Sequence, residues 1–179
     1  MKRTSFANWP CSVARTMDLL GDWWTPLVLR EAFYGIRRFD EFQQELGIAR
    51  NTLSERLRRL VEAGLLEKQV YETMPVRHEY VLTESGRDFY GVLLAMTAWG
   101  DRWLSGEAGP PVVTRHESCG HDADAQVVCS HCGERLEWPD VTARPGPGYP
   151  PKLLARPDVR RRFGLDDAAR PAESNRPAG

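Results

Sequence analysis

Two short pieces of the chain carry residues that could hold a metal. In "RHESCGHDADAQVVCSHCGERLEW", His116 and Cys119 are separated by two residues and followed by Gly120, and Cys129 and Cys132 repeat that spacing before Gly133. Thiolates and imidazoles are the ligands zinc prefers, and pairs of them two residues apart on short hairpins can close a tetrahedral site. The expectation is one structural zinc per chain, held by His116, Cys119, Cys129 and Cys132. His121 or His131 could replace His116 as the fourth ligand. Two readings compete: free surface thiols among polar histidines, and a reversible Cys129–Cys132 disulfide. A segment this short cannot build a core of its own, and a bound metal would explain how it folds.

A second group of residues suits another chemistry. "RNTLSERLRRLVEAGLL", residues 50–66, gathers Arg50, Arg56, Arg58 and Arg59 with Asn51, Thr52 and Glu55, while Leu53, Leu57, Leu60 and Val61 recur at helical spacing. One face of such a helix is buried. The other face offers groups that read base edges. Asn pairs with adenine, Thr meets a thymine methyl, Glu accepts from cytosine, and Arg reaches guanine or phosphate. Arg56, at the flank of the apolar stripe, suits a phosphate. The competing reading pairs these arginines with Glu41, Glu45, Glu55 and Glu62 on an ordinary solvated surface.

The elements needed to position such a helix are legible around it. "CSVARTMDLLG" reads as a short helix stopped at Gly21. "WTPLVLREAFYG" reads as a second, with Thr25 as N-cap and Pro26 at its first position. "FDEFQQELG" reads as a third, capped by Asp40 with Gln43 three residues on. The brief turn "GIAR" then leads to the polar helix at about 50–62, giving the order of a helix-turn-helix. "LLEKQVYE" and "RHEYVLT", joined by "TMPVR", read as a two-stranded wing at about 67–82. Arg77 at its tip suits the minor groove. Arg37 and Arg38 stand before the positioning helix, where phosphate is expected. Thr83 caps a last helix, "ESGRDFYGVLLAMTAWGDRWL", with Phe89, Leu93, Met96, Gly100, Trp103 and Leu104 on one side.

The chain resembles the HxlR-type winged-helix transcriptional regulators. The resemblance rests on "GDWWTPLVLREAFYGIRRFDEFQQELGIARNTLSERLRRLVEAGLLE" and "YETMPVRHEYVLTESG" and covers about residues 9–106. It implies a homodimer that binds double-stranded DNA, with the first and last helices packed against the partner; the aromatic "AMTAWGDRWL" suits that role. Family members commonly cap the recognition helix with Ser or Thr, and here Ala49 holds that position, so that Asn51 could serve as the cap instead. Some members sense oxidants or electrophiles through an N-terminal cysteine. Cys11 occupies the corresponding place, where a helix N-terminus lowers a thiol pKa, and is the redox-sensing candidate; its competing reading is a buried, inert thiol.

Composition bounds these readings. The 179 residues, 41% apolar and 27% charged, are enough for one ordinary domain and something small. A net charge of -1 makes any nucleic-acid surface local rather than global. The basic N-terminus lacks the apolar core of a secretory signal, and no apolar run suits a membrane span. A cytoplasmic location and reduced cysteines are therefore expected. The fold class expected is mainly α with a small β wing (α+β): a winged helix-turn-helix domain at 11–106, a zinc-ribbon-like segment at 107–138, and a Pro/Gly/Arg-rich tail at 139–179. The tail is expected to be mostly disordered, with one short helix in "PDVRRRFGLDD". The function expected is a DNA-binding transcriptional regulator, a homodimer on a pseudo-palindromic operator. The alternative is a redox- or metal-responsive regulator acting through Cys11 or the Cys119/Cys129/Cys132 cluster. A protein-binding winged helix and a zinc enzyme are further readings. Catalysis is not expected, because no H-E-x-x-H or similar open metal pattern occurs.

Overall fold

Val28 and Leu29 of helix α2 (Trp24–Phe33) have no exposed surface, and the rest of the domain is arranged around them. In the computed structural model, residues 5–166 are described. They form two compact units, one of residues 5–7 and 13–126, the other of residues 8–12 and 127–166.

The first unit contains α1 (Ser12–Leu20, from its second residue onward), α2, α3 (Phe39–Leu46) and α4 (Arg50–Glu62). Strands β1 (Leu66–Thr73) and β2 (Val76–Leu82) follow, then α5 (Glu84–Asp88) and α6 (Tyr90–Leu104). Helix α2 packs against α3, α4, β2 and α6. Phe42 of α3, Leu53, Leu57 and Leu60 of α4, and Leu65 and Leu66 close the core over it. Each large apolar side chain so buried stabilises the fold by roughly 1.5–3 kcal/mol.

Two helix starts differ from expectation for the same reason: a carboxylate elsewhere in the sequence wins the free amides. Helix α2 begins at Trp24, and the Asp22 carboxylate accepts from the amides of Trp24 (2.9 Å) and Thr25 (3.3 Å). Thr25 is buried rather than capping, and Pro26 lies one turn in. Helix α3 begins at Phe39, one residue before the expected cap Asp40. Its third residue, Glu41, reaches back to accept from the Arg38 amide at 3.1 Å, half of a capping box. Gly47 ends α3 in the left-handed region at φ 59°.

Strands β1 and β2 pair antiparallel from Leu66↔Leu82 to Thr73↔Val76, with an irregularity between Val70 and Glu72. Thr83 caps the next helix as expected, its hydroxyl accepting from the Gly86 amide at 3.1 Å. The single last helix expected is instead two. Helix α5 is tied to the turn before β1: the Thr83 amide donates to the Leu65 carbonyl at 3.0 Å, and the Ser85 hydroxyl to the Gly64 carbonyl at 2.7 Å. At Phe89 the chain tightens. The Phe89 amide donates three residues back to Gly86, and the Val92 amide three residues back to Phe89. A new helix direction starts there. The first unit closes with a two-residue ladder, β3 (Arg115–His116) with β4 (His121–Asp122).

The second unit holds an isolated pairing of Val128 with Arg135 and two short helices, α7 (Pro151–Leu154) and α8 (Pro157–Arg162). Helix α8 is the short helix expected in the tail. The described tail residues are more ordered than composition implies: Val159 is buried, and Tyr149 meets Phe163 edge-on at 5.3 Å. Sparse aromatics suffice here because two prolines start the two helices at their first turns. Residues 167–179 of the expected disordered tail lie outside the described residues. No helix among the described residues is long and apolar enough to cross a membrane.

Candidate nucleic-acid interface

Helix α4 divides its residues cleanly. Leu53, Leu57 and Leu60 are buried; Arg50, Asn51, Ser54, Arg58 and Glu62 are exposed, and Thr52, Glu55, Arg56 and Arg59 are half-buried. The preceding α3 and the turn at Gly47–Ala49 set its entry. Its N-cap is Ala49, whose side chain makes no capping bond, and Asn51 lies inside the first turn. Asn51 does not cap the helix; its side chain is on the exposed face. Ser54 was not among the expected residues. It stands one turn beyond Arg50 and one before Arg58, so a strict 3.6-residue count on the polar face would have found it.

The arginines of α4 have different partners. Arg58 makes a two-pronged bond to Glu55 (3.0 and 2.9 Å) and pairs with Glu62; Arg59 donates to Glu55 at 2.8 Å. These pairs hold the Glu55 carboxyl down to about 2, with Arg58 the larger cause. The Arg58 guanidinium is correspondingly raised, chiefly by Glu55. Arg56 turns inward to an ion pair with Asp22, the same carboxylate that caps α2, and its Nε is buried without a hydrogen-bond partner. Arg50 lies over the Phe39 ring at 4.9 Å, which steers it without neutralising it.

The wing brings together three arginines that the sequence places apart. The Tyr80 amide donates to the Arg37 carbonyl at 2.8 Å, and Arg38 bridges Glu79 in an antiparallel pairing. Residues 37–38 thus add a short stretch to the edge of β2. Arg38 stacks on Tyr71 of β1 at 4.7 Å. Arg77 is raised by a hydrogen bond with the same Tyr71 and by Glu72, whose carboxylate is 3.3 Å away. Tyr71 is therefore the common support of Arg38 and Arg77, a role that alternation alone did not reveal. Tyr80 on β2 is raised by burial.

The metal-ligand candidates lie in two hairpins, one in each unit, and each is described by itself. In the first unit, His116 Nδ1 is 3.3 Å from the Cys119 sulfur, and His121 Nδ1 bonds the Cys119 carbonyl at 2.8 Å. In the second, the backbone amides of Cys132 and His131 point to the Cys129 sulfur and lower its thiol, the Cys132 side chain adding to them. Among the described residues, no group of three or more His, Cys, Asp and Glu side chains is gathered as a metal site would gather them. Cys11 is exposed, next in sequence to the first residue of α1.

A short helix, a glycine turn, a polar helix on a leucine base and a hairpin wing define a winged helix-turn-helix protein, the architecture of helix-turn-helix transcriptional regulators. The model of the HxlR-like helix-turn-helix family matches residues 19–108, and the chain belongs to that family. It is 49% identical over 144 residues to Rv3095, an HTH-type transcriptional regulator of Mycobacterium tuberculosis, covering 80% of this chain and 91% of the relative. That alignment is longer than the family domain, so the likeness runs on past residue 108. The fold is shared with PA1607, a transcription factor by its description, at TM-score 0.71 and 35% identity over 79% of this chain and 99% of the other. It is also shared with PA1374 of Pseudomonas aeruginosa, likewise described as a transcription factor, at TM-score 0.56 and 37% identity over 85% and 99%.

Proposed function

We propose that this protein is a homodimeric transcriptional regulator that reads a pseudo-palindromic operator, with α4 in the major groove and the β1–β2 wing at the neighbouring minor groove. The observation that carries this reading is the division of α4. Its leucines are wholly spent on the core, and its exposed first two turns present Arg50, Asn51, Ser54 and Arg58. Those are side chains that meet base edges and phosphates. Arg37, Arg38 and Arg77, gathered by the wing around Tyr71, add the cations that hold backbone on either side. Dimerisation is supported by α6, where Val92, Met96, Trp99 and Trp103 recur at helical spacing and are all exposed. A soluble domain seldom leaves such a stripe uncovered.

Footprinting on fragments selected from a duplex library tests the reading. Two protected half-sites about one helical turn apart, roughly 34–36 Å, are expected. Asn51→Ala should relax base preference at one position, at about 1–3 kcal/mol. Arg77→Ala should weaken binding to all sequences and lower the salt slope by about 1. Protection of one half-site by a monomer would overturn the dimeric reading. No duplex binding, with a protein partner captured independently of salt, would overturn the nucleic-acid reading itself.

A further inference from the structure

Residues 114–123 and 127–136 are two copies of one hairpin. In the first, the His116 carbonyl accepts from the Gly120 amide at 2.8 Å, Arg115 pairs with Asp122, and the Ala123 amide donates to the Thr114 carbonyl at 2.9 Å. In the second, the Cys129 carbonyl accepts from the Gly133 amide at 2.8 Å, Val128 pairs with Arg135, and the Leu136 amide donates to the Val127 carbonyl at 2.9 Å. Each partner is displaced by the same step along the chain. That step also carries His116 onto Cys129 and Cys119 onto Cys132. Gly120 and Gly133 sit at φ 70° and 78°, a turn that a side chain would strain. The backbone thus repeats a device whose two variable side chains are metal ligands both times.

The spacing inside the first hairpin fits a metal. A tetrahedral zinc with Zn–N near 2.0 Å and Zn–S near 2.3 Å holds those two ligand atoms about 3.5 Å apart. His116 Nδ1 and the Cys119 sulfur are 3.3 Å apart. His121 has its Nδ1 engaged by the Cys119 carbonyl, so His116 is the imidazole presented beside the thiol. Neither hairpin has an apolar reason to exist. Residues 115–119 and 130–135 are exposed throughout. Turns of this kind are ordinarily held by what their side chains bind.

We propose that the two hairpins are zinc knuckles, and that each chain takes up one zinc(II) through His116 Nδ1 and the thiolates of Cys119, Cys129 and Cys132. Uptake releases the proton of each coordinating thiol to solvent and forms the Zn–S and Zn–N bonds, with no change of oxidation state. Four protein ligands leave no open position, so the ion is structural. The residues proposed to read DNA all precede residue 78, outside both hairpins.

The test uses the full chain, purified reduced and without added metal. Elemental analysis should return about one zinc per chain. Cobalt(II) exchanged in its place should give thiolate charge-transfer bands and the intense visible bands of a tetrahedral ion. Cys119→Ser and Cys132→Ser should each reduce the metal to about none, while the helical circular dichroism stays that of the parent; this dissociates metal loss from misfolding. His116→Ala should lose the tetrahedral spectrum, and His121→Ala and His131→Ala should keep it. A reduced chain that binds neither zinc nor cobalt overturns the proposal. So does a Cys119→Ser variant that keeps a full equivalent with an unchanged spectrum, since the first hairpin would then supply nothing. Loss of the spectrum in His121→Ala or His131→Ala, but not in His116→Ala, overturns the ligand assignment.

Discussion

Asp22 does two jobs with one carboxylate: it caps α2 and it meets Arg56 of α4. Asp22→Ala removes the cap, at about 0.5–2 kcal/mol, and leaves Arg56, only 18% exposed, without its counter-charge. The expected loss is about 2–4 kcal/mol, read as a lower denaturant midpoint at unchanged slope. Asp22→Asn, which can still accept from the amides, should lose less. Glu55 makes a separate prediction. Its carboxyl lies near 2 rather than 4.5 because Arg58 and Arg59 hold its charged form. Folding therefore gains from this group above about pH 4.5, and the gain fades as pH falls towards 2. The pair is open to solvent, so salt screens it. An NMR titration of the Glu55 side chain should give a midpoint near 2 at low salt that climbs in high salt; a midpoint at the ordinary value in both would show the pairs are not kept in solution. The residue types at this surface were legible because Asn, Thr and Arg have no business on a purely structural face. The partners were not. That Arg56 faces inward depends on Asp22, which is distant in sequence, and that Arg38 and Arg77 share Tyr71 depends on strand pairing.

Periodicity located the helices and the wing, since each buries one stripe of leucine or phenylalanine. It could not place their starts or the break at Phe89. Starts were misread where Thr25 and Asp40 resembled caps, because choosing among several oxygens depends on which reaches the free amides. The break follows from α5 being tied to the Leu65 turn. An ideal Cβ built on Gly86 would lie 2.0 Å from the Leu65 carbonyl oxygen. Backbone cannot yield as a flexible side chain does. Gly86→Ala should therefore destabilise the domain by about 1–3 kcal/mol or more, lowering its thermal midpoint. An Ala at Gly91, where nothing lies within 4 Å of the added carbon, should be close to neutral. Equal effects at the two positions would mean that α5 does not press on that turn. The hairpins around Cys119 and Cys132 posed the opposite case. Their ligand spacing is plain in the sequence, and the backbone repeat beneath it emerges only from the hydrogen bonds.

At the scale of the whole chain, composition bounded the answer without giving it: a near-zero net charge concealed a local basic surface, and the tail's Pro and Gly concealed two short helices. The pattern of large aromatic side chains has a further consequence. Trp99 and Trp103 of α6 are 60% and 64% exposed, and Trp23 is 79% exposed. Indoles in water emit at longer wavelength than indoles packed against apolar neighbours. If α6 joins two copies, Trp99 and Trp103 change surroundings on association while Trp23, ahead of α2, need not. Diluting the protein through its dissociation range should shift its emission to the red in a single sigmoid, and Trp99→Phe together with Trp103→Phe should remove most of that shift. A spectrum independent of concentration, alongside a constant sedimentation coefficient of a single chain, would exclude α6 as the joint. The protein thus carries, in the surface that a dimer would cover, a built-in optical gauge of its own assembly.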